Sequence, residues 1–133
     1  MIGGPVRIGA LVSGSGSNLQ AIIDAVESGQ IKGGLVVVVS SNDRAYALER
    51  ARQHGIATEV VRYEDFSSRR EFSEQIAHVL TEYRVDLVCL AGFMRILDRV
   101  FFERYHGDAM NIHPALLPAF GGKGMYGHLV HEA

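Results

Sequence analysis

The chain has 133 residues, 47% hydrophobic and 21% charged, with 13 Lys+Arg against 15 Asp+Glu for a formal charge of −2. This size and balance suit a single domain over residues 1–133 and exclude a disordered chain, and with no cationic excess neither nucleic acid nor an anionic membrane is expected as a partner. Cys89, the single cysteine, has no internal disulfide partner, the N-terminus lacks the features of a signal peptide, and an apolar run such as Leu35 to Val39 is too short to span a bilayer, so a cytoplasmic protein is expected.

Hydrophobic periodicity switches back and forth along the chain, the mark of an α/β domain. Val6 to Val12 reads as a buried strand. Leu19, Ile22, Ile23 and Val26 then recur on one face of a helix that stops near Gly29. Leu35 to Val39, β-branched and without alternation, suits a parallel strand covered on both faces. A helix over Ala45 to His54 closed by Gly55, and a strand over Thr58 to Val61, come next. Phe72, Ile76, Val79, Leu80 and Tyr83 mark an amphipathic helix entered through Ser67 and Ser68. Val85 to Ala91 reads as a fourth strand, Arg99 to Tyr105 as a short helix, Ala109 to Ile112 as a fifth strand, and Gly127 to Ala133 as the start of a further helix. The expected architecture is a doubly wound, mainly parallel sheet. Ligands in such sheets gather at the carboxyl ends of the strands, here the loops after Val12, Leu90 and Ile112.

Ser13-Gly14-Ser15-Gly16-Ser17-Asn18 joins the first strand to the first helix. Its glycines let the backbone approach an anion, and free N–H groups at a helix start point at it. Ser17 or Asn18 would cap the helix or donate to phosphate oxygens; a plain tight turn with a Ser or Asn cap is the alternative. The third glycine of a dinucleotide fingerprint is missing, with Gln20 or Ala21 in its place, and Asn42 and Asp43 only loosely resemble a ribose-reading acid. A phosphomonoester fits better than a dinucleotide.

Asn111 and His113 fall on the same side of the fifth strand, where an amide donor beside an imidazole can polarise a carbonyl and move a proton near neutral pH, unless the histidine is structural. Gly92 to Leu97 is either an ordinary connection built of core residues or an apolar slot for a flat heterocycle. Gly121 to Gly124 lacks the first glycine and the Ser/Thr of a P-loop and reads as a mobile loop. His128 and His131 stand three apart without a third ligand at a recognisable spacing, so no metal is expected. Cys89 reads as an inert core residue, and Arg69 and Arg70 as the solvated start of a helix.

Three stretches, Val12 to Gln20, Leu90 to Leu97 and Met110 to Pro118, resemble in order and spacing the phosphoribosylglycinamide formyltransferase family, the folate-dependent formyl transfer enzymes of purine biosynthesis. The resemblance covers almost the whole chain from Val6 and implies a Rossmann-like formyltransferase fold. It implies that Gly16, Ser17 and Asn18 hold the phosphate of glycinamide ribonucleotide. Met94, Arg95, Ile96 and Leu97 would line the pterin pocket of 10-formyltetrahydrofolate, the co-substrate, with Arg69 approaching the folate from its own loop. Asn111 would contact the formyl donor, and His113 would be the catalytic acid/base, in a monomer or a homodimer. Family members continue past the position of Ala133, supplying an aspartate for the histidine and further grips on the nucleotide. The chain is therefore expected to be a C-terminally truncated piece, weakly active or inactive alone and less stable for its uncovered strand edge and helix faces.

A formyltetrahydrofolate hydrolase, with water in place of the amine, is a close alternative. Such enzymes usually resemble this chain only behind an additional N-terminal domain, which is not expected here because the first strand is read from Val6. A noncatalytic nucleotide-binding module and a dehydrogenase are more distant, the latter weakened by the incomplete dinucleotide fingerprint.

Overall fold

In a computed structural model, residues 5–112 are described. Val6–Val12 (β1) occupies the middle of a five-stranded sheet whose other members are Gly33–Ser40 (β2), Ala57–Val60 (β3), Leu87–Leu90 (β4) and Asp108–Asn111 (β5). The order is β3-β2-β1-β4-β5, with every pairing parallel. Parallel neighbours need crossovers, which are Ser17–Glu27 (α1), Tyr46–Gln53 (α2), Arg69–Glu82 (α3) and Val100–Arg104 (α4). This is the doubly wound α/β architecture expected from the alternating periodicities.

Side chains of β1 divide between the two faces of the sheet, as pleating requires. Ile8, Ala10 and Val12 join a core with Leu19, Ile22 and Ile23 of α1 and Ala47 and Ala51 of α2. Leu11 joins a second core with Phe72, Ile76 and Leu80 of α3 and Phe101 of α4. Residues 8 to 12 are all buried, which explains why this strand and β2 carry unbroken apolar runs instead of alternation.

Element ends differ from the sequence expectation by one or two residues, each for a local reason. The fourth strand starts at Leu87 and not Val85, because the Val85 amide donates to the Leu80 carbonyl (3.0 Å) in the turn that closes α3, where Arg84 takes a φ of 56°. A 3-10 turn at Tyr63–Asp65, unforeseen in the sequence, precedes α3. Ser68 caps α3 by accepting from the Glu71 amide at 3.1 Å, while Glu71 accepts from the hydroxyl and amide of Ser67. Those two bonds, the hydroxyl first, hold the Glu71 carboxyl below its ordinary range. Among the described residues no helix is long and apolar enough to cross a membrane. The helix expected over Gly127 to Ala133 lies outside the described residues.

Two core acids keep their protons through the alkaline range. Burial pushes the Cys89 thiol up to about 12 from 9.0. Tyr105 is likewise raised, by burial first and then by the carboxylates of Asp108 and Asp86. The unfolded chain gives up both protons sooner than the fold does, so stability is fully present below about pH 9 and is lost progressively as pH climbs towards 12. Urea midpoints measured between pH 8 and 11 should fall, and Cys89→Ala should flatten that fall. An unchanged slope in the variant would show that the thiol does not titrate on unfolding.

Candidate active site

At the carboxyl end of the sheet a cleft of about 460 Å³ opens, lined by Ser13, Ser41, Asn42, Asp43, Arg62, Glu64, Met94 and Arg95. These residues follow β1, β2, β3 and β4, so the cleft lies across the switch point, where the chain leaves β1 towards one face and β4 towards the other.

One wall is the loop from Ser13 to Gly16. Its carbonyls are all engaged on the protein side. Gly14 accepts from the Ala47 amide (3.1 Å), Ser15 from Arg50 Nε (2.8 Å), and Gly16 from the Gln20 amide (2.7 Å). Arg50 also donates to Gln20 Oε1 at 3.1 Å, tying α2 to α1. With carbonyls turned into the protein, the amides at the start of α1 are the groups left for an anion. The cap of α1 is Gly16 itself, at φ 84°, with no side-chain cap bond; neither Ser17 nor Asn18 caps the helix. Of the two readings of this loop, the Ser or Asn cap does not occur. Ser17 is exposed and Asn18 half-buried.

The other wall is the segment from Gly92 to Leu97. Gly92 turns the chain out of β4 at φ 75°. Phe93 then stacks on Phe72, with ring centres 6.4 Å apart and planes 4° apart. The Met94 amide donates to Ser13 Oγ at 2.8 Å, which joins this wall to the first. Arg95 lays its guanidinium 4.5 Å from the centre of the Tyr63 ring and reaches Glu64 at 3.4 Å, while Glu64 also faces Arg62 at 3.9 Å. Beyond the loop, the Asp98 amide donates to the buried Ser73 hydroxyl at 2.8 Å. Met94 and Ile96 remain 78% and 63% exposed, whereas Leu97 is buried in the core shared by α3 and α4.

Of the residues singled out in the sequence, Ser13, Asn42, Asp43, Met94 and Arg95 line the cleft, whereas Gly16, the cap of α1, and Ser17 and Asn18 in its first turn are not among the lining residues. Asn111 is exposed at the carboxyl end of β5, beside Leu90 of β4 in the ladder. Arg69, exposed at the first residue of α3, is not among the cleft-lining residues. His113, the Gly121 to Gly124 loop, His128 and His131 lie outside the described residues. Among the described residues no group of three His, Cys, Asp or Glu is arranged to hold a metal ion. Sequence reasoning missed Ser41, Arg62, Glu64 and Arg50. Positions after β2 and β3 obey the same carboxyl-end rule as those after β1, so the first three were within reach of that rule. Cys89 is buried inside β4, as expected of a core residue.

Strand order and cleft position define a Rossmann-like α/β domain with a cleft across the β1/β4 switch point, the place where sheets of this kind take ligands. The sequence model described as formyl transferase matches residues 6–131, and the chain belongs to this family. It is 48% identical over 117 residues to the phosphoribosylglycinamide formyltransferase of Escherichia coli, covering 88% of this chain and 55% of that protein. The enzyme of the same name from Haemophilus influenzae is 42% identical over 120 residues, 90% of this chain and 57% of that one. The crystal structure of glycinamide ribonucleotide transformylase 1 from Symbiobacterium toebii superposes with a TM-score of 0.79 at 45% identity, covering 88% of this chain and 55% of that one. The chain thus spans about half the length of these relatives.

Gly16 offers a local test of how closely this loop packs on α2. A Cβ there would sit 2.8 Å from both Cα and Cβ of Ala47, on top of the cost of a positive φ, whereas a Cβ on Gly14 would meet nothing within 4 Å. Gly16→Ala should therefore lower unfolding stability by roughly 1–3 kcal/mol. Gly14→Ala should change it far less. Equal urea midpoints for the two variants would contradict the close α1–α2 approach.

Proposed function

We propose that this chain carries formyl transfer from 10-formyltetrahydrofolate to the amine of glycinamide ribonucleotide, in the de novo synthesis of purines, as one cytoplasmic domain acting in a monomer or a homodimer. The observation that carries the reading is the Ser13–Met94 hydrogen bond, which sets an amide-lined anion cradle directly beside an apolar-lipped loop at one end of the sheet. Membership of the formyl transferase family and the printed names of the relatives support the same reaction.

In this reading Gly16, Ser17 and Asn18 hold the nucleotide's phosphate with backbone amides and the positive end of α1. Met94, Arg95, Ile96 and Leu97 take the pterin. Exposed Met94 and Ile96 supply apolar cover and Arg95 a cationic rim, while Leu97, buried, contributes through its backbone. Arg69 approaches the folate tail from the start of α3. The fit is chemical as well as positional, since a flat heterocycle needs both an apolar surface and free backbone groups at its edge.

The folate supplies an activated formyl carbon. The nucleotide amine attacks it, forming the new C–N bond and placing negative charge on the formyl oxygen. Asn111 donates to that oxygen, protonated His113 stabilises it and then protonates the departing folate nitrogen as the old C–N bond breaks, and the proton lost by the attacking nitrogen returns to His113. No covalent bond to the enzyme is required.

Folate absorbance during incubation of the protein carrying these residues with 10-formyltetrahydrofolate should show deformylation only when glycinamide ribonucleotide is present. Asn111→Ala should lower kcat by about 10²–10³ and His113→Ala by about 10²–10⁴. Deformylation at the same rate without the nucleotide would make the protein a hydrolase. Phosphate binding with no transfer, and no effect of His113→Ala, would make it a noncatalytic nucleotide-binding module.

A further inference from the structure

We infer that Ser13 is a positioning residue for the formyl donor, acting through the Met94 amide to set the 92–97 loop against the anion cradle. The inference rests on the formyl-transfer reading and adds to it a residue that touches neither reactant in that reading.

Ser13 is the first residue after β1, so its backbone opens the cradle while its side chain faces the cleft. Its hydroxyl oxygen accepts from Met94 across 81 residues of chain and lies 2.8 Å from the hydroxyl of Ser41, which is only 6% exposed. A serine hydroxyl offers one proton and two acceptor sites. Here the Met94 amide takes one acceptor site, and the buried Ser41 fixes the rotation of the hydroxyl. Asn42 Nδ2 reaches the Ser13 carbonyl at 3.4 Å, so the end of β2 braces the same residue twice. Both partners come from outside the 92–97 loop, and the brace therefore stays in place whatever the loop does.

On the loop side, Met94 marks the point where the chain leaves the core. Phe93 before it is stacked on Phe72, and Met94 itself is 78% exposed. The amide of so exposed a residue would ordinarily face water; it is held by Ser13 instead. Arg95, on Tyr63 and Glu64, secures the loop sideways towards α3. Ser13 alone among these anchors belongs to the cradle, so its hydroxyl sets the separation between the two walls. Reacting groups held on separate loops must be aligned closely, and a small misplacement of one is costly.

The test compares wild type, Ser13→Ala, Ser13→Thr and Ser41→Ala in the same protein. Calorimetry measures the Kd for 10-formyltetrahydrofolate and for glycinamide ribonucleotide, and hydrogen exchange follows the Met94 amide. Loss of one neutral hydrogen bond should raise the donor Kd of Ser13→Ala roughly five- to tenfold, leave the nucleotide Kd within about twofold, and remove protection at Met94. Ser13→Thr, which keeps the hydroxyl, should restore protection and most of the donor affinity. Ser41→Ala, which leaves the Met94 bond in place but unbraced, should fall between. A purely structural serine would lower the unfolding midpoint while leaving both Kd values and Met94 protection unchanged, and that result overturns the inference. Equal weakening of both ligands in Ser13→Ala overturns it as well. A wild-type protein that binds neither ligand overturns the formyl-transfer reading itself, whereas wild-type binding matched by Ser13→Ala overturns the role of Ser13 alone.

Discussion

Strand β1 pairs with β2 along one edge and with β4 along the other, and the site exists because of that divergence. The chain leaving β1 turns into α1 on one face of the sheet, and the chain leaving β4 leads to α4 on the opposite face. Two adjacent strand ends therefore send their loops apart, leaving a gap that neither loop fills. Burial of the last five residues of β1 makes this arrangement rigid. Ile8 to Val12 are enclosed from both sides, so the positions of Ser13 and of Leu90 are set by the core before any loop interaction is counted.

The two walls of the gap are secured by different chemistry, which suits what each would bind. The cradle is held by α2 through its carbonyls, with Arg50 drawing Ser15 inwards and Ala47 packed under Gly16. That bonding consumes the electron-rich groups that would repel an anion and leaves amides at the start of α1. The 92–97 loop is held by an aromatic stack beneath it, a guanidinium on a tyrosine ring at its side, and one hydrogen bond to Ser13. Its anchors lie under and beside the loop, so its outer surface stays open.

Most of the fold was legible because burial on both faces leaves an unmistakable pattern. The β-branched run at Leu35 to Val39 can hardly be anything but a covered strand, and the Leu19, Ile22, Ile23, Val26 spacing marks α1. The 3-10 turn at Tyr63–Asp65 left no such trace, since three residues are too few to show a period. The Ser or Asn cap, one of two readings the loop offered, does not form for a related reason. Ser17 and Asn18 are good caps by residue type, but Gly16 must take a positive φ to bring α1 against Ala47, and that demand comes from packing rather than from local preference. At the site, motifs pointed to the loops after β1 and β4. The bond joining them spans 81 residues and has no sequence signature, and the Arg95–Tyr63–Glu64 cluster is likewise visible only once two connections are neighbours in space.

The exposure of Met94 and Ile96 is costly unless something covers them. Each large apolar side chain left in water forgoes about 1.5–3 kcal/mol relative to full burial, and both belong to a segment whose neighbours, Phe93 and Leu97, are at least partly buried. A loop free to collapse would bury all four. Gly92 at its start, the Phe93–Phe72 stack and the Asp98–Ser73 bond at its end prevent that collapse by fixing both flanks of the segment. The ordering cost of the loop is thus met during folding, and covering its apolar surface becomes a gain available to a ligand. A flat apolar ring with polar edges collects that gain while its edge meets backbone groups, whereas a purely hydrophilic ligand does not. The same rigidity explains why the cradle and the loop share Ser13: once both walls are stiff, one short hydrogen bond between them is enough to set their spacing.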